Sequence, residues 1–453
     1  MPGNAWAAVR ARVRGSLWPI PVLGIVVAVG LGVALPALDE MLASRPDGHP
    51  LALAFGGGPS AARDLLAAIA GSLISVTGLT FSFTVVALQL ASSQHSPRLL
   101  QTFVTDRVVQ LTLAQLVATF VYALTVLRTV RTESATNDES AFVPRLSVTV
   151  AFALTLVSVV AIVLFLAHLA RSLRVETMYR DVHDEATETY ARELPAQDDQ
   201  DDEPGVDLPA GSGRPLTARS SGFVVDADHR AIVAAATEVG VTVLLGARIG
   251  DSVVAGTPLA SVWPADTDAD LEPLEDALHD GVRLGFERSP TRDIAYSLRK
   301  VVDIAVRALS PGTNDPTTAV HGLSHVSALL VELVARPPRP SAFRDDDGVL
   351  RLIVPQWDVA SLMRLGLEEP IQFASGQPAV LRRIAGLLRE VAWRAPRGVL
   401  DHDIEGYLRQ VVDLSRESTA VSDAEIESWE QWVSDALAGR WVPARPEGSI
   451  VRG

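Results

Sequence analysis

The sequence predicts a multi-span α-helical membrane protein, with four transmembrane helices followed by a C-terminal cytosolic α+β domain. Three observations carry that reading. Four segments each offer about 20 mostly apolar residues, the length that crosses a bilayer. The apolarity behind a mean hydropathy of +0.23 is concentrated before about residue 170. Most of the acidic excess behind the net charge of −15 lies after it.

The expected spans are Leu17–Leu38, Leu65–Leu90, Val108–Val130 and Leu146–Leu169. Arg10, Arg12 and Arg14 precede the first, as in a secretory leader. Its apolar run is too long for a leader, and Pro19, Pro21 and Pro36 do not suit a cleavage site, so it is read as a retained anchor. Orientation follows from the positive residues near the span ends. Arg10, Arg12, Arg14, Arg98, Arg107, Arg171, Arg174 and Arg180 fall on one side; Arg45, Arg63, Arg128, Arg131 and Arg145 fall on the other. An even number of spans and the larger count put both termini in the cytoplasm.

Span two is unusual in its polarity. Gly71, Ser75, Gly78, Ser82, Gln89 and Ser93 recur three or four apart, with Val85 in the one gap, and share a helix face. Thr77, Thr80 and Thr84 form a neighbouring stripe. Span three has a shorter counterpart in Thr112, Gln115, Thr119 and Tyr122. Small residues let helices pack closely and hydroxyls bond backbone carbonyls. The same residues, with Gln89 and Gln115, would also line a hydrated path at the centre of a homo-oligomer, because a buried amide is costly to leave unsatisfied in lipid. No charged residue lies deep in a span, which argues against a proton relay or voltage sensor. After span two, Ser96 and Pro97 predict a short helix with Leu99, Leu100 and Phe103 at the membrane surface.

Helix is expected to continue without a breaker from His168 to about Glu193. The acidic stretch Leu194–Pro215 interrupts it as a linker. From Ser220 to Trp263, two apolar runs, Gly222–Val225 and Val241–Leu245, flank a helix over Asp228–Val239 that ends at Gly240. "GDSVVAGTPLASV" then alternates, with Gly250 and Gly256 at turns. This string resembles the hairpin of barrel-sandwich carrier domains but has no lysine to carry a prosthetic group. The boundaries are thus 1–170, 171–215, 216–265 for a small barrel-sandwich-like β module, and 266–453 for a mainly helical cytosolic domain.

Ser289 and Pro290 are expected to open a helix with Ile294, Leu298, Val301, Val302, Ala305 and Leu309 on one face. It runs into "RALSPGTNDP", where Asn314 or Asp315 caps the next helix with Pro316 at its first position. Arg307, Ser310, Gly312, Asn314 and Asp315 form a turn that would hold a small anion or a partner if its N–H groups point outward. An ordinary helix-opening turn has the same composition. His321 and His325, with Glu332, have zinc-compatible spacing but lack a protease signature, so no metal site is assigned. Asp293, Asp303 and Asp315 have no spacing that implies acid–base pairing. A strand at Val349–Val354 precedes helices near Asp358–Leu367, Gln377–Trp393, Asp401–Ser415 and Asp423–Leu437, the last with Ser422 and Glu425 in a capping box.

With no cysteine, disulfides, thiolate metal sites and cysteine nucleophiles are excluded. The acidic balance argues against broad nucleic-acid binding. No cofactor and no catalytic constellation are expected.

"VTGLTFSFTVVALQLASSQHSPRLLQTFVTD", "GDSVVAGTPLA" and "DIAVRALSPGTNDPTTA", in that order, resemble a group of bacterial membrane proteins filed as domain of unknown function 2254. The resemblance implies a four-span membrane domain and a cytosolic domain at the bacterial inner membrane. It brings no activity, ligand or catalytic residue. Taken together, the sequence points to a channel-like or transport protein with span two lining the path. The alternative is a non-conducting sensor or scaffold.

Overall fold

A computed structural model describes residues 18–43, 55–94, 106–131, 142–194, 210–265, 268–336, 341–417 and 420–443. The leading Arg10–Arg14 cluster, the expected surface helix at Ser96–Phe103 and most of the acidic linker lie outside the described residues. The chain divides into two compact units, Met1–Thr177 and Met178–Gly453.

The first unit holds α1 (Pro19–Ala43), α2 (Pro59–Gln94), α3 (Arg107–Leu127) and α4 (Arg145–Ser172), each long and apolar enough to cross a membrane. A fifth helix in the second unit passes the same test of length and composition. Small residues bring α1 onto α3. A Cβ at Gly24 would lie 3.3 Å from the Ala114 carbonyl oxygen, and one at Gly32 would lie 2.8 Å from Thr125. Ala28 between them is buried. This is the small-xxx-small approach of membrane helices.

Leu66, Leu73, Leu116, Tyr122, Val126 and Val148 fill the centre of the unit. Leu23, Val26 and Val33 on α1, and Phe152, Leu156, Val160 and Val163 on α4, are exposed on the outside. Those surfaces suit acyl chains. Polar caps close the helix ends. Asp39 of α1 accepts from Leu146 N (3.0 Å), Ser147 N (3.0 Å) and Ser147 Oγ (2.7 Å), capping α4, whose own N-cap Pro144 has no side-chain donor or acceptor. Asp106 caps α3 through Val108 N and meets His168 Nε2 of α4 at 2.5 Å.

The expected unbroken helix from His168 to Glu193 is not formed. The α4 helix ends at Ser172, Leu173 closes it onto Leu169 and Arg171, and α5 (Val175–Glu193) begins anew. Nothing in the composition of "HLARSLRVET" marks the break, since it has neither glycine nor proline.

The second unit mixes small sheets with helices. Its elements are β1 (Arg214–Thr217), β2 (Gly222–Ala227), α6 (His229–Val239), β3 (Thr242–Leu245), β4 (Ser252–Val253), β5 (Pro258–Trp263), α7 (Glu272–Gly281), β6 (Val282–Gly285), α8 (Ile294–Leu309) and α9 (Pro316–Ala335). They are followed by β7 (Ser341–Arg344), β8 (Leu350–Val354), α10 (Val359–Phe373), α11 (Pro378–Arg394), α12 (Asp401–Glu417) and α13 (Asp423–Leu437). One sheet runs β1-β5-β3-β8-β7 and the other β4-β2-β6. All neighbours are antiparallel except β3 and β8. The β structure therefore extends past residue 265: β6, β7 and β8 cover edges that the hairpin alone would leave unpaired.

Asp228 caps α6 through Ala231 N, and Gly240 ends it in a left-handed conformation (φ 77°), as the sequence predicts. Ile232, Ala236, Leu274 and Leu278 of α6 and α7 join Val243, Leu245, Val262 and Leu352 in one core. The α8 helix starts later than expected. Asp293, not Ser289, is its cap, accepting from Ala295 N and Tyr296 N. The fifth apolar helix, α9, packs between α8 and α11, with Leu323, Val326, Leu330 and Leu333 fully buried there. Its neighbour α11 carries Arg382, Arg383 and Glu390.

Candidate functional site

The sequence singles out α2, and the structure gives its polar stripe a definite direction. At about 100° per residue, Gly71, Ser75, Gly78, Ser82, Val85 and Gln89 fall within about 40° of one line along the helix. All six are exposed in the protomer. The buried face, formed by Ala62, Leu66, Leu73, Thr80, Thr84 and Ala87, is on the opposite side. A Cβ added at Gly71 or Gly78 meets nothing within 4 Å. Among the described residues these glycines serve no close packing, in contrast to Gly24 and Gly32 of α1.

The alternating steps of four and three keep these residues on one face of a helix with about 3.6 residues per turn. A surface that merely faces acyl chains has no reason to be lined by glycine and serine. Ser75 Oγ donates to the Gly71 carbonyl (3.1 Å), so its hydroxyl is satisfied within the helix. Ser72, Thr77 and Thr84 do the same with the carbonyls four residues back. The side chains of Ser82 and Gln89 have no hydrogen-bond partner among the described residues.

The shorter stripe on α3 has a different use. Gln115 Nε2 donates to Thr119 Oγ1 (3.1 Å), to the Leu154 carbonyl (3.3 Å) and to Ser158 Oγ (3.4 Å). Thr119 Oγ1 and Ser158 Oγ are 3.2 Å apart, and Tyr122 donates to the Ser147 carbonyl. Gln115, Thr119 and Tyr122 thus bind α3 to α4 inside the protomer. They do not join Gly71–Gln89 on one surface.

In the second unit the "ALSPGTNDP" turn is built to join two helices. Ser310 Oγ donates to the Arg307 carbonyl, and Asp315 N donates back to the Ala308 carbonyl (2.8 Å). Asn314 adopts φ 47°, a left-handed conformation that asparagine tolerates, and its Oδ1 accepts from Gln377 Nε2 (2.8 Å). Asp315 accepts from Thr318 N and Thr318 Oγ1 at the start of α9. Those bonds hold its carboxyl below the usual carboxylate range. The seat an anion would take at this N-terminus is filled by the Asp315 carboxylate. Gly312 projects into open space.

His321 and His325 do not gather Glu332. His325 instead lies against His183 of α5, with ring centroids 5.1 Å apart, and stacks on Tyr179 at 5.4 Å. Among the described residues no group of three or more histidines and carboxylates is placed to hold a metal ion. Asp293, Asp303 and Asp315 are likewise separate: Asp293 pairs with Arg288, Asp303 with Arg299, and Asp315 caps α9.

Sequence reasoning missed two features that did leave a trace. Gly24, Ala28 and Gly32 recur every four residues. Lys300 is the single lysine in a chain with 39 basic residues, and it is buried.

The sequence matches the family described as "Predicted membrane protein (DUF2254)" over residues 14–390. It is 34% identical over 397 residues to the uncharacterized protein Rv1290c of Mycobacterium tuberculosis, covering 86% of this chain and 74% of that one. The uncharacterized protein Mb1321c of Mycobacterium bovis matches with the same identity and coverage. No solved structure matches.

Proposed function

This chain belongs to the DUF2254 family of predicted membrane proteins, and from that premise we propose that it works as a homo-oligomer in which the outward stripe of α2 meets its copies around a polar path for ions or small solutes. On this reading α1 to α4 cross the bacterial inner membrane, both termini are cytoplasmic, and α9 stays in the cytosolic unit. The activity is channel-like and not enzymatic.

One observation carries the reading. Six residues on one helix face, four of them glycine or serine and one an amide, are exposed among the described residues of the first unit. Exposed apolar positions such as Ile74, Phe81 and Val86 flank the stripe and suit lipid or a neighbouring helix. The absence of charge on the stripe favours weakly selective passage over coupled transport. Scaffolding without conduction is the second reading. It draws support from the same surface, since a seam of small residues also serves assembly alone.

The two readings separate in proteoliposomes. Ser75→Leu and Ser82→Leu are expected to lower ion or solute flux at least tenfold while leaving the oligomer intact, because leucine fits a helical seam but fills its centre. Flux that persists unchanged in both variants contradicts the path. Assembly without flux in the unaltered protein favours the scaffold.

A further inference from the structure

From the packing of His183 and Tyr179 of α5 on His325 of α9, we infer that the docking of α5 on α8 and α9 is a proton-operated latch, closed when His325 is neutral and released when it charges.

Two residues, Leu173 and Arg174, separate α5 from the end of α4 in sequence. From Met178 onward it presents Met178, Tyr179, Val182, Ala186, Thr189 and Tyr190 as a buried face. Polar contacts fix it along its length. Tyr179 OH donates to the Thr318 carbonyl (3.1 Å), Glu185 meets Lys300 Nζ (2.5 Å) and Ser297 Oγ (2.8 Å), and Glu193 meets Arg292 Nε (3.1 Å). Gly322 makes room for Tyr179; a side chain there would collide with the phenol. His325 adds a contact whose charge responds to mild acid.

His183 packs its edge on His325, and His183 Nδ1 is buried without a hydrogen-bond partner. Burial, His183 and His321 together hold His325 below its usual 6.5, opposed by the Asp184 carboxylate. The other charged groups around the cluster are already committed. Asp315 caps α9. On the far side of α9, Arg383 of α11 pairs with Glu390 while contacting Ser324, and Glu390 also accepts from Ser327. Asp184 is thus the carboxylate that faces His325 from α5.

The sign follows from linkage. The docked state prefers neutral His325, whereas a released α5 returns it toward 6.5. Docking is therefore at full strength above about pH 6.5 and weakens as the pH falls below it, by up to about tenfold per pH unit for each proton taken up.

The chain has no cysteine, so a pair of spin labels can be placed without background. Glu188→Cys on α5 and Ala328→Cys on α9 are both exposed sites. In the full-length protein in nanodiscs, double electron–electron resonance should give one narrow distance distribution at pH 7.5. At pH 5.0 a longer, broader component should appear. A second pair, Ala379→Cys and Glu427→Cys on α11 and α13, should stay unchanged and thereby exclude general acid unfolding. Adding His183→Gln and His325→Gln should remove the long component at pH 5.0. Should that variant not fold, Asp184→Asn supplies the test: it should move the onset to higher pH, because docked His325 loses the carboxylate that favours its charged form while released His325 does not. Identical distributions at both pH values, loss of the control distance together with the first, or an onset unmoved by Asp184→Asn would each overturn the latch.

Discussion

Gly250→Ala is expected to destabilise the second unit by about 4 kcal/mol or more, the sum of a left-handed backbone strain and a disturbed buried ion pair. Gly250 sits in the turn before β4 with φ 93°, a conformation that residues with a Cβ rarely adopt. An added Cβ would also run into the Asp293 carboxylate, reaching 2.7 Å from its Cγ and 2.9 Å from Arg288 Nη2. Asp293 cannot step aside. It is almost fully buried, Arg288 clamps it with two bonds of 2.8 and 2.9 Å, and it caps α8 through Ala295 N and Tyr296 N. Burial pushes this carboxyl upward and the Arg288 guanidinium opposes it, so prying the pair apart strands a charge that burial already penalises. Thermal unfolding of the full-length protein in detergent should show the transition of the second unit shifted down by many degrees. The Gly256→Ala control, whose Cβ meets open space at φ 83°, should cost only the backbone strain, about 1–2 kcal/mol.

Glu185→Ala has the next largest effect. Lys300 is only 3% exposed, and Glu185 is the carboxylate that meets its ammonium. Removing the partner of a buried charge costs about 3–5 kcal/mol. Replacing both partners with apolar side chains of similar size, Lys300→Met with Glu185→Leu, should return to within about 1–2 kcal/mol of the natural protein, since a buried pair often does no better than good packing. Unfolding measurements on the two variants check the order. If the single variant were as stable as the double, the pair would not be what bolts α5 to α8.

Much of this fold can be read from local pattern. The four apolar helices of the first unit, the α6 cap and its Gly240 stop, the turns at Gly250 and Gly256, and the helix that Ser422 opens all follow from signals within a few residues. Where the partner is remote, the pattern is silent. Glu425 turns its carboxylate to Arg382 and does not close the capping box back on Ser422. Asp39 caps a helix more than 100 residues away, and β3 finds β8 across a similar gap. The break after Ser172 carries no helix-breaking residue at all. For the candidate site, periodicity identified which residues share a face of α2. It could not tell that this face points outward, or that Gln115 and Thr119 are spent on α4, because both depend on which helices become neighbours.

The central claim is that the small, polar side of α2 touches the same side of another copy, and disulfide scanning in native membranes tests it most directly. Single cysteines from position 71 to 89 in this cysteine-free chain should link subunits at 75, 78, 82 and 85 and stay unlinked at 73, 80 and 87, tracing one face of the helix. Linking of equal yield all round the helix, or none at the four seam positions while the protein remains folded, would contradict it.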